Sequence, residues 1–409
     1  MKTLLSLIAV VLTGSMLHAA DWPAYRGVNQ GISEEAIRTD WENNPPKLLW
    51  KIPARTGFSS FCVADGKLFT QEVVDGREVC VALNADTGEE LWTSDVAIGE
   101  GYHSGGEGDG PRSTPAYSDG MVFVLTPDLV LHGLDATDGK SLWKCDLVAE
   151  YGAQNIAWNS AASPVVDGDL VFVMGGHEGQ SLLAFQKKTG ELAWKAETEM
   201  MTHATPVVAE IKGIRQIIFY CQSGLVSLEA ETGKLLWRFP VQYRTSTAAS
   251  PVVDGDIVYA SAGYGVGGAA CKVGCEGEEW NAEELWRTPG KDLANHWSTP
   301  VCVDGHLYGM YGFKEYYPDG HLKCVELATG KVCWEQIGFG QGNIVAAGGK
   351  LLALAENGEL VLVESTPEGY KELGRIQAVD GKCWSTPAVA NGRVYIRSVK
   401  EAACWDVSP

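Results

Sequence analysis

Beyond the first twenty residues the chain has no apolar run long enough to cross a bilayer, so no membrane span is expected there. Basic residues are scarce: 32 Lys and Arg stand against 52 Asp and Glu, a formal net charge of −20 over 409 residues. Nucleic-acid binding needs a basic footprint, and so acidic a chain is repelled by phosphate backbones and anionic lipid heads; nucleic acid is excluded as a partner. There is no Pro/Ser-rich linker and no break in composition, so one large domain is expected rather than two or three joined ones. Catalytic signatures are missing as well. No Gly-x-Ser-x-Gly elbow, Walker loop, His-Glu-x-x-His helix or Cys-x-x-Cys-His haem site can be found.

What is present begins with "MKTLLSLIAVVLTGSMLHAA", in which Lys2 precedes an apolar run from Leu4 to Leu12 and small residues follow. This is the pattern of a secretory leader, expected over residues 1–20 with cleavage after Ala19 or Ala20. No lipobox Cys follows it, so the expected product is a periplasmic or secreted protein without a lipid anchor. Residues 21–44 would form an N-terminal arm, with "DWPAYRGVNQGIS" lying across a face of the body and fixing Trp22 and Tyr25 against it.

The body is repetitive. A Thr-Gly corner followed by a Trp recurs as "LNADTGEELW" at 83, "FQKKTGELAW" at 185, "LEAETGKLLW" at 228 and "VELATGKVCW" at 325, with "LDATDGKSLW" at 134 a close variant. Between these corners lies a second phrase, seen as "RSTPAYSDGMVFVL" at 112, "AASPVVDGDLVFVM" at 161, "AASPVVDGDIVYAS" at 248, "WSTPVCVDGHLYGM" at 297 and "WSTPAVANGRVYIR" at 384. Looser copies begin at Ser59, His203 and near Gln341, giving eight in all. The marker prolines at 115, 164, 206, 251 and 300 are 42 to 49 residues apart, the period of a propeller blade. Asp-Gly and Asn-Gly pairs suit two-residue hairpin turns, which need positive φ.

The expected fold is therefore all-β: an eight-bladed β-propeller of four-stranded antiparallel blades, spanning residues 45–409. The last copy ends in "AACWDVSP" and lacks an outer strand, while "KLLWKIPAR" from Lys47 is an outer strand without a blade. Pairing them closes the ring and removes two open sheet edges. Trp50, Trp92, Trp143 and Trp194, with Trp237, Trp286 and Trp334, take the same outer-strand position and read as structural wedges between blades. Burying an indole of ~200 Å² at ~25 cal/mol/Å² is worth ~5 kcal/mol gross, an upper bound. Blade seven carries "YKELGRI" there instead.

These phrases, with "DWPAYRG" at 21, "GPRSTP" at 110, "TPEGYKELGR" at 366 and "NGRVYIR" at 391, resemble the pyrroloquinoline-quinone-like β-propeller repeat proteins. The similarity is to a planctomycete-type branch likened to the outer-membrane assembly factor BamB or to polyvinyl-alcohol dehydrogenase. It implies either a quinone-dependent dehydrogenase or a non-catalytic scaffold. Quinone-holding members use a vicinal disulfide on one face of the cofactor, a Trp on the other, and calcium held by Glu, Asn and Asp; no two cysteines are adjacent here.

Eleven cysteines are many for an exported chain. Cys80, Cys302, Cys324, Cys333 and Cys404 fall where other blades carry Leu, Val, Ala or Gly, so buried thiols serving as small hydrophobes are expected. Cys271 and Cys275, in "CKVGC", surround the place where blade five has lost its Thr-Gly corner; inert thiols or a local disulfide would both fit, and no partner pair for a structural zinc lies nearby. The Gly-rich "GEGYHSGGEGDGPR" at 99–112 carries acids and precedes a strand, so it reads as a loop joining blades one and two, not as a phosphate cradle.

In a propeller the innermost strand of each blade starts at the mouth of the axial channel. The residues three before each marker Pro are Arg112, Ala161, His203, Ala248, Trp297 and Trp384, and they should converge there together with Trp158, Asn159 and His296. Such a mixture suits a pocket for a small polar or carbohydrate-like ligand or an extended peptide. In the alternative, Arg112 and the histidines cap strand-start carbonyls while Trp297 and Trp384 plug the channel. The expected function is a non-catalytic, exported, monomeric scaffold that binds an envelope protein. No catalytic residue, metal or cofactor is expected in that reading. The alternatives are an alcohol or polyol dehydrogenase using pyrroloquinoline quinone with calcium, and a carbohydrate-binding accessory protein.

Overall fold

The computed structural model describes residues 21–96, 110–175, 177–312 and 320–409. The expected leader and most of the Gly-rich 99–112 loop lie outside them. Eight sheets of four antiparallel strands follow one another around a ring. Blade one is typical, with strand A at Cys62–Ala64, B at Lys67–Val74, C at Arg77–Asn84 and D at Glu90–Asp95. Its A–B turn and its counterparts use the turn chemistry read from the repeat: Asp119 and Gly120 have φ of 49° and 78°. The ring closes as expected, Lys47–Pro53 pairing antiparallel with Glu401–Asp406 as strand D of blade eight. Arg397, fully buried, fastens that junction to blade one, donating to Thr70 Oγ1 at 2.8 Å and to the Arg55 carbonyl at 2.8 Å, with Glu72 at 3.4 Å.

The geometry around strand D explains why the corner and the tryptophan recur together. Opposite each Trp on strand C stands a small residue, as in the pairs Ala82–Trp92, Gly133–Trp143, Cys324–Trp334 and Cys404–Trp50. A bulge lies beside each of these pairs and re-aims the indole out of its own sheet. The ring then lies on the corner glycine of the next blade. A Cβ on Gly139 (φ 75°) would sit 2.5 Å from Trp92 Cε3, and Gly88, Gly190, Gly233 and Gly330 stand in the same relation to Trp50, Trp143, Trp194 and Trp286. Each of these indoles also donates across the junction; Trp92 Nε1 reaches the Ala136 carbonyl at 3.2 Å and Trp286 Nε1 the Leu327 carbonyl at 2.7 Å. Two tryptophans have no corner glycine ahead of them: Trp334, whose Nε1 still donates across the junction to the Thr366 carbonyl at 2.7 Å, and Trp237. Blade five offers it no Thr-Gly corner, and its Nε1 donates to Gln216 of its own blade at 2.8 Å.

A second set of junction bonds runs inside the ring and was not foreseen. At five junctions the hydroxyl at this position accepts the backbone N–H of its counterpart one blade back: Ser60 N to Thr114 Oγ1, Thr114 N to Ser163 Oγ, Ser163 N to Thr205 Oγ1, Ser250 N to Thr299 Oγ1 and Thr386 N to Ser60 Oγ, all at 2.8–3.0 Å; Ser250 Oγ, before Pro251, accepts no such bond. The hydroxyls of Thr114 and Thr299 in "STP" and of Ser163 in "ASP" are thus inter-blade acceptors.

The N-terminal arm is built into the wheel rather than laid across a face of it. It takes the inner edges of the strands A, which otherwise face the channel unpaired. Trp22 exchanges backbone bonds with Val63, both at 2.8 Å; Tyr117 N donates to the Pro23 carbonyl at 2.7 Å; Gln30 brackets Val253; and Ile32–Ser33 adds a fifth, parallel strand to blade seven. Arg26 is buried, and its guanidinium donates to the carbonyls of Thr299 and Pro300 of blade six at 2.5 and 2.7 Å. Burial without a carboxylate partner pulls it down to about 10.

The arm also supplies the wedge that blade seven lacks. At the tryptophan register, blade seven inverts the usual pair and sets Gly374 opposite Leu362. Trp41 of the arm fills the space: it is 3% exposed, and a Cβ on Gly374 would sit 2.5 Å from its own Cβ.

Two cysteine expectations need correction. Cys302 and Cys333 are half-buried, because they stand on sheet faces that the neighbouring blade only partly covers, whereas Cys80, Cys324 and Cys404 are buried. Cys271 and Cys275 do not flank a corner. Both stand on the lengthened strand C of blade five, Gly267–Glu276, whose turn falls at Gly277, and both are free thiols.

Trp41→Ala is expected to lose ~3–5 kcal/mol of stability, as for a buried Trp within a blade, while Val28→Ala, 82% exposed on the same arm, changes little. Equilibrium denaturation of both variants checks this; equal midpoints would contradict it.

Candidate functional site

The segments leading into the strands A converge at one end of the channel, where a cavity of about 440 Å³ opens. Arg112, Ala161, His203, Ala248, Trp297 and Trp384 all line it, as do Trp158 and His296. Asn159 is not among the lining residues. Its amide is turned to Asp128 Oδ1 at 3.2 Å, because residue 159 continues the turn that points Trp158 at the mouth. Phe58 occupies the same register in blade one; it went unread because Phe61 stands where the marker proline would be. Tyr25 and Tyr264 also line the cavity, and no repeat position announces either.

Tyr25 and Thr205 belong at once to this cavity and to a second one of about 190 Å³, which the arm residues Pro23–Val28 and Gln30 line. The arm therefore divides the channel, and Tyr25 forms part of the partition. The tryptophans do not plug what remains. Trp297 and Trp384 lie against each other with centroids 4.3 Å apart and planes at 45°, and Phe58 stacks on Trp384 at 4.9 Å and 29°. Their ring nitrogens are engaged, Trp384 Nε1 with Glu356 Oε1 at 2.9 Å and Trp297 Nε1 with the Gln341 carbonyl at 3.2 Å.

Across the mouth, Trp158 is held differently. It is 46% exposed and sits at φ +65°, a left-handed conformation uncommon for a bulky residue, followed by Asn159 at +57°, where Asn is at ease. Its support comes from the pocket itself. Arg112 Nη1 donates to the Trp158 carbonyl at 2.7 Å, and His203 Nε2 lies 2.9 Å from the Ala157 carbonyl. A carbonyl only accepts, so Nε2 carries the proton and Nδ1 accepts from Ser246 Oγ at 3.0 Å. Arg112 and His203 thus do cap carbonyls, and the carbonyls belong to the rim.

Electrostatically the cavity is nearly neutral. No acidic side chain is among its described lining residues, and Arg112 is the one permanent charge there. Burial drives the His296 imidazole down to about 4, and burial with Arg112 nearby lowers that of His203, so both rings are neutral at pH 7. Lys382 Nζ stands 4.6 Å from the Trp384 ring centroid. Among the described residues, no group of three or more His, Cys, Asp or Glu is placed to hold a metal ion.

A family profile described as outer membrane protein assembly factor BamB matches residues 75–336. BamB of Yersinia pestis is 22% identical over 330 residues, covering 77% of each chain. Among solved structures, BamB of Moraxella catarrhalis superimposes with a TM-score of 0.63 at 16% identity over 88% of this chain and 97% of its own. The quinohemoprotein alcohol dehydrogenase of Comamonas testosteroni gives 0.65 at 14% identity over 95% of this chain and 80% of its own. At such identities the two superpositions establish the fold alone.

A histidine whose imidazole is held neutral by folding contributes stability that is complete above the unfolded value of 6.5 and is lost as pH falls toward about 4. Wild type should therefore lose stability across that window, and His296→Gln should lose less of it. Thermal midpoints of the two proteins between pH 7 and 4 check the difference; parallel curves would contradict it.

Proposed function

The chain belongs to the family described as outer membrane protein assembly factor BamB, and from that premise we propose that it is an exported, non-catalytic propeller that holds a protein partner in the cell envelope. The observation that carries this reading is the family match over more than half of the chain, together with a BamB relative aligned over 77% of both lengths. The leader-like start supports export. The outer rim supports the binding: every strand D leaves one edge unpaired, and Leu91, Leu142, Leu285 and Ile337 lie exposed along those strands, so an extended partner segment can add to an edge and seat alternate side chains on apolar spots. A wheel held at every junction presents such edges at low ordering cost.

A quinone-dependent dehydrogenase is the competing reading, since the fold is shared with a quinohemoprotein alcohol dehydrogenase. The residues at the channel mouth do not fit that cofactor. No vicinal cysteines exist to cover one face, and the described lining offers no carboxylate for calcium. Glu356, the acid engaged by Trp384, is bound to ring and backbone N–H groups.

Two measurements test the proposal. Adding pyrroloquinoline quinone with calcium to the mature protein should leave its unfolding midpoint unchanged; a ligand at a hundred times its dissociation constant would instead add ~2.7 kcal/mol, and such a gain with dye reduction by alcohols would overturn the reading. Cross-linking in envelope fractions should recover outer-membrane assembly proteins through blade edges.

A further inference from the structure

We propose that the channel-mouth cavity is a saccharide site, and that Trp158 is the face on which a neutral sugar ring stacks. This goes beyond the scaffold reading and does not depend on it.

The first observation is the indole itself. Among the described residues Trp158, at 46%, is the most exposed of the Phe, Tyr and Trp side chains, while the tryptophans of the strands D are buried or half-buried at junctions. Its one aromatic neighbour is the His203 ring, tilted at 48° with centroids 6.4 Å apart, and its backbone at residues 158 and 159 is left-handed. Nevertheless five hydrogen bonds hold its corner. Arg112 and His203 reach the carbonyls of Trp158 and Ala157, Asn159 reaches Asp128, and Asn155 Nδ2 and Ser160 N donate to the Pro127 carbonyl at 2.7 and 3.1 Å. Strain kept in place by polar bonds around an exposed ring marks a residue presented to a ligand.

The second observation is what the ring shares the cavity with. The Phe58–Trp384–Trp297 cluster forms part of the lining and Tyr25 part of the floor, so the space of about 440 Å³ is open at one end and rich in aromatic rings. That volume lies within the ~300–1,000 Å³ of small-molecule sites. Between the aromatics stand Ser60, Ser163 and Thr205, whose oxygens each accept one backbone N–H from the neighbouring blade, which leaves the O–H to donate.

Charge then selects the ligand class. An aromatic cage for a cation is disfavoured, because the guanidinium of Arg112 lines the cavity and no described acid does. An anion must approach a chain of net charge −20, and Arg112 already serves the Trp158 carbonyl. What remains is a neutral molecule with apolar C–H faces for the rings and hydroxyls for the wall. A pyranose has both.

The test uses the mature protein and a panel of neutral gluco-, manno-, galacto-, xylo- and N-acetylglucosamine oligosaccharides, read by calorimetry and intrinsic tryptophan fluorescence. At least one should bind. Trp158→Ala, which removes an exposed side chain, should weaken that binding ~10-fold or more at an unchanged unfolding midpoint, and Trp158→Phe should recover part of it. The proposal is overturned if no neutral saccharide binds, if Trp158→Ala leaves affinity unchanged, or if uronic-acid oligosaccharides, choline or extended peptides bind in preference.

Discussion

At five of the junctions an outer-strand indole must find a surface on the next blade, and the corner glycine is that surface. A propeller has no single core; its blades are held by the faces they turn to one another, so an interaction repeated at each junction decides whether the ring exists. Here three features of the repeat are one device. The small residue on strand C and the bulge beside it tip the indole out of its sheet, and the glycine ahead receives it. Any side chain at that corner would collide with the ring. At five junctions a Ser or Thr hydroxyl does the corresponding work on the inner circle, satisfying a backbone N–H that the neighbouring blade would otherwise leave open.

A chain with two ends and a ring with none must be reconciled, and the N-terminal arm does so more thoroughly than a single shared strand would. Residues 47–53 complete blade eight, while the preceding residues pair with strands A around the inner wall, anchor a buried arginine in blade six, add a strand to blade seven and restore its wedge with Trp41. By crossing the channel the arm also turns a through-passage into two cavities, which gives the mouth a floor. The same segment thus closes the ring and shapes the site.

The fold was legible because its grammar is local: turn pairs, alternating apolar strands and a fixed period each announce themselves within ten or fifteen residues. The six mouth positions were legible for the same reason, since a constant offset from the marker proline gives a constant place on the wheel. What escaped notice was carried by residues outside the repeat or by substitutions within it. Phe58 lacks its proline marker, and Tyr25 and Trp41 act on blades hundreds of residues away in sequence. Cys271 and Cys275 were misplaced because blade five lengthens strands C and D and moves the turn to Gly277, a change in strand length that no corner motif records. The Ser or Thr hydroxyl was visible as a letter in every copy but the seventh, which has Asn343, and its purpose is a bond between copies.

A double-mutant cycle on Trp92 and Gly139 tests the junction device most directly. Gly120 is the reference, since its φ of 78° matches the 75° of Gly139 but nothing lies within 4 Å of an added Cβ. In the native background Gly139→Ala should cost ~1–3 kcal/mol more than Gly120→Ala, through overpacking against the indole. With Trp92→Ala already in place that excess should vanish. An excess that persists without the indole, or that never appears, would contradict the account.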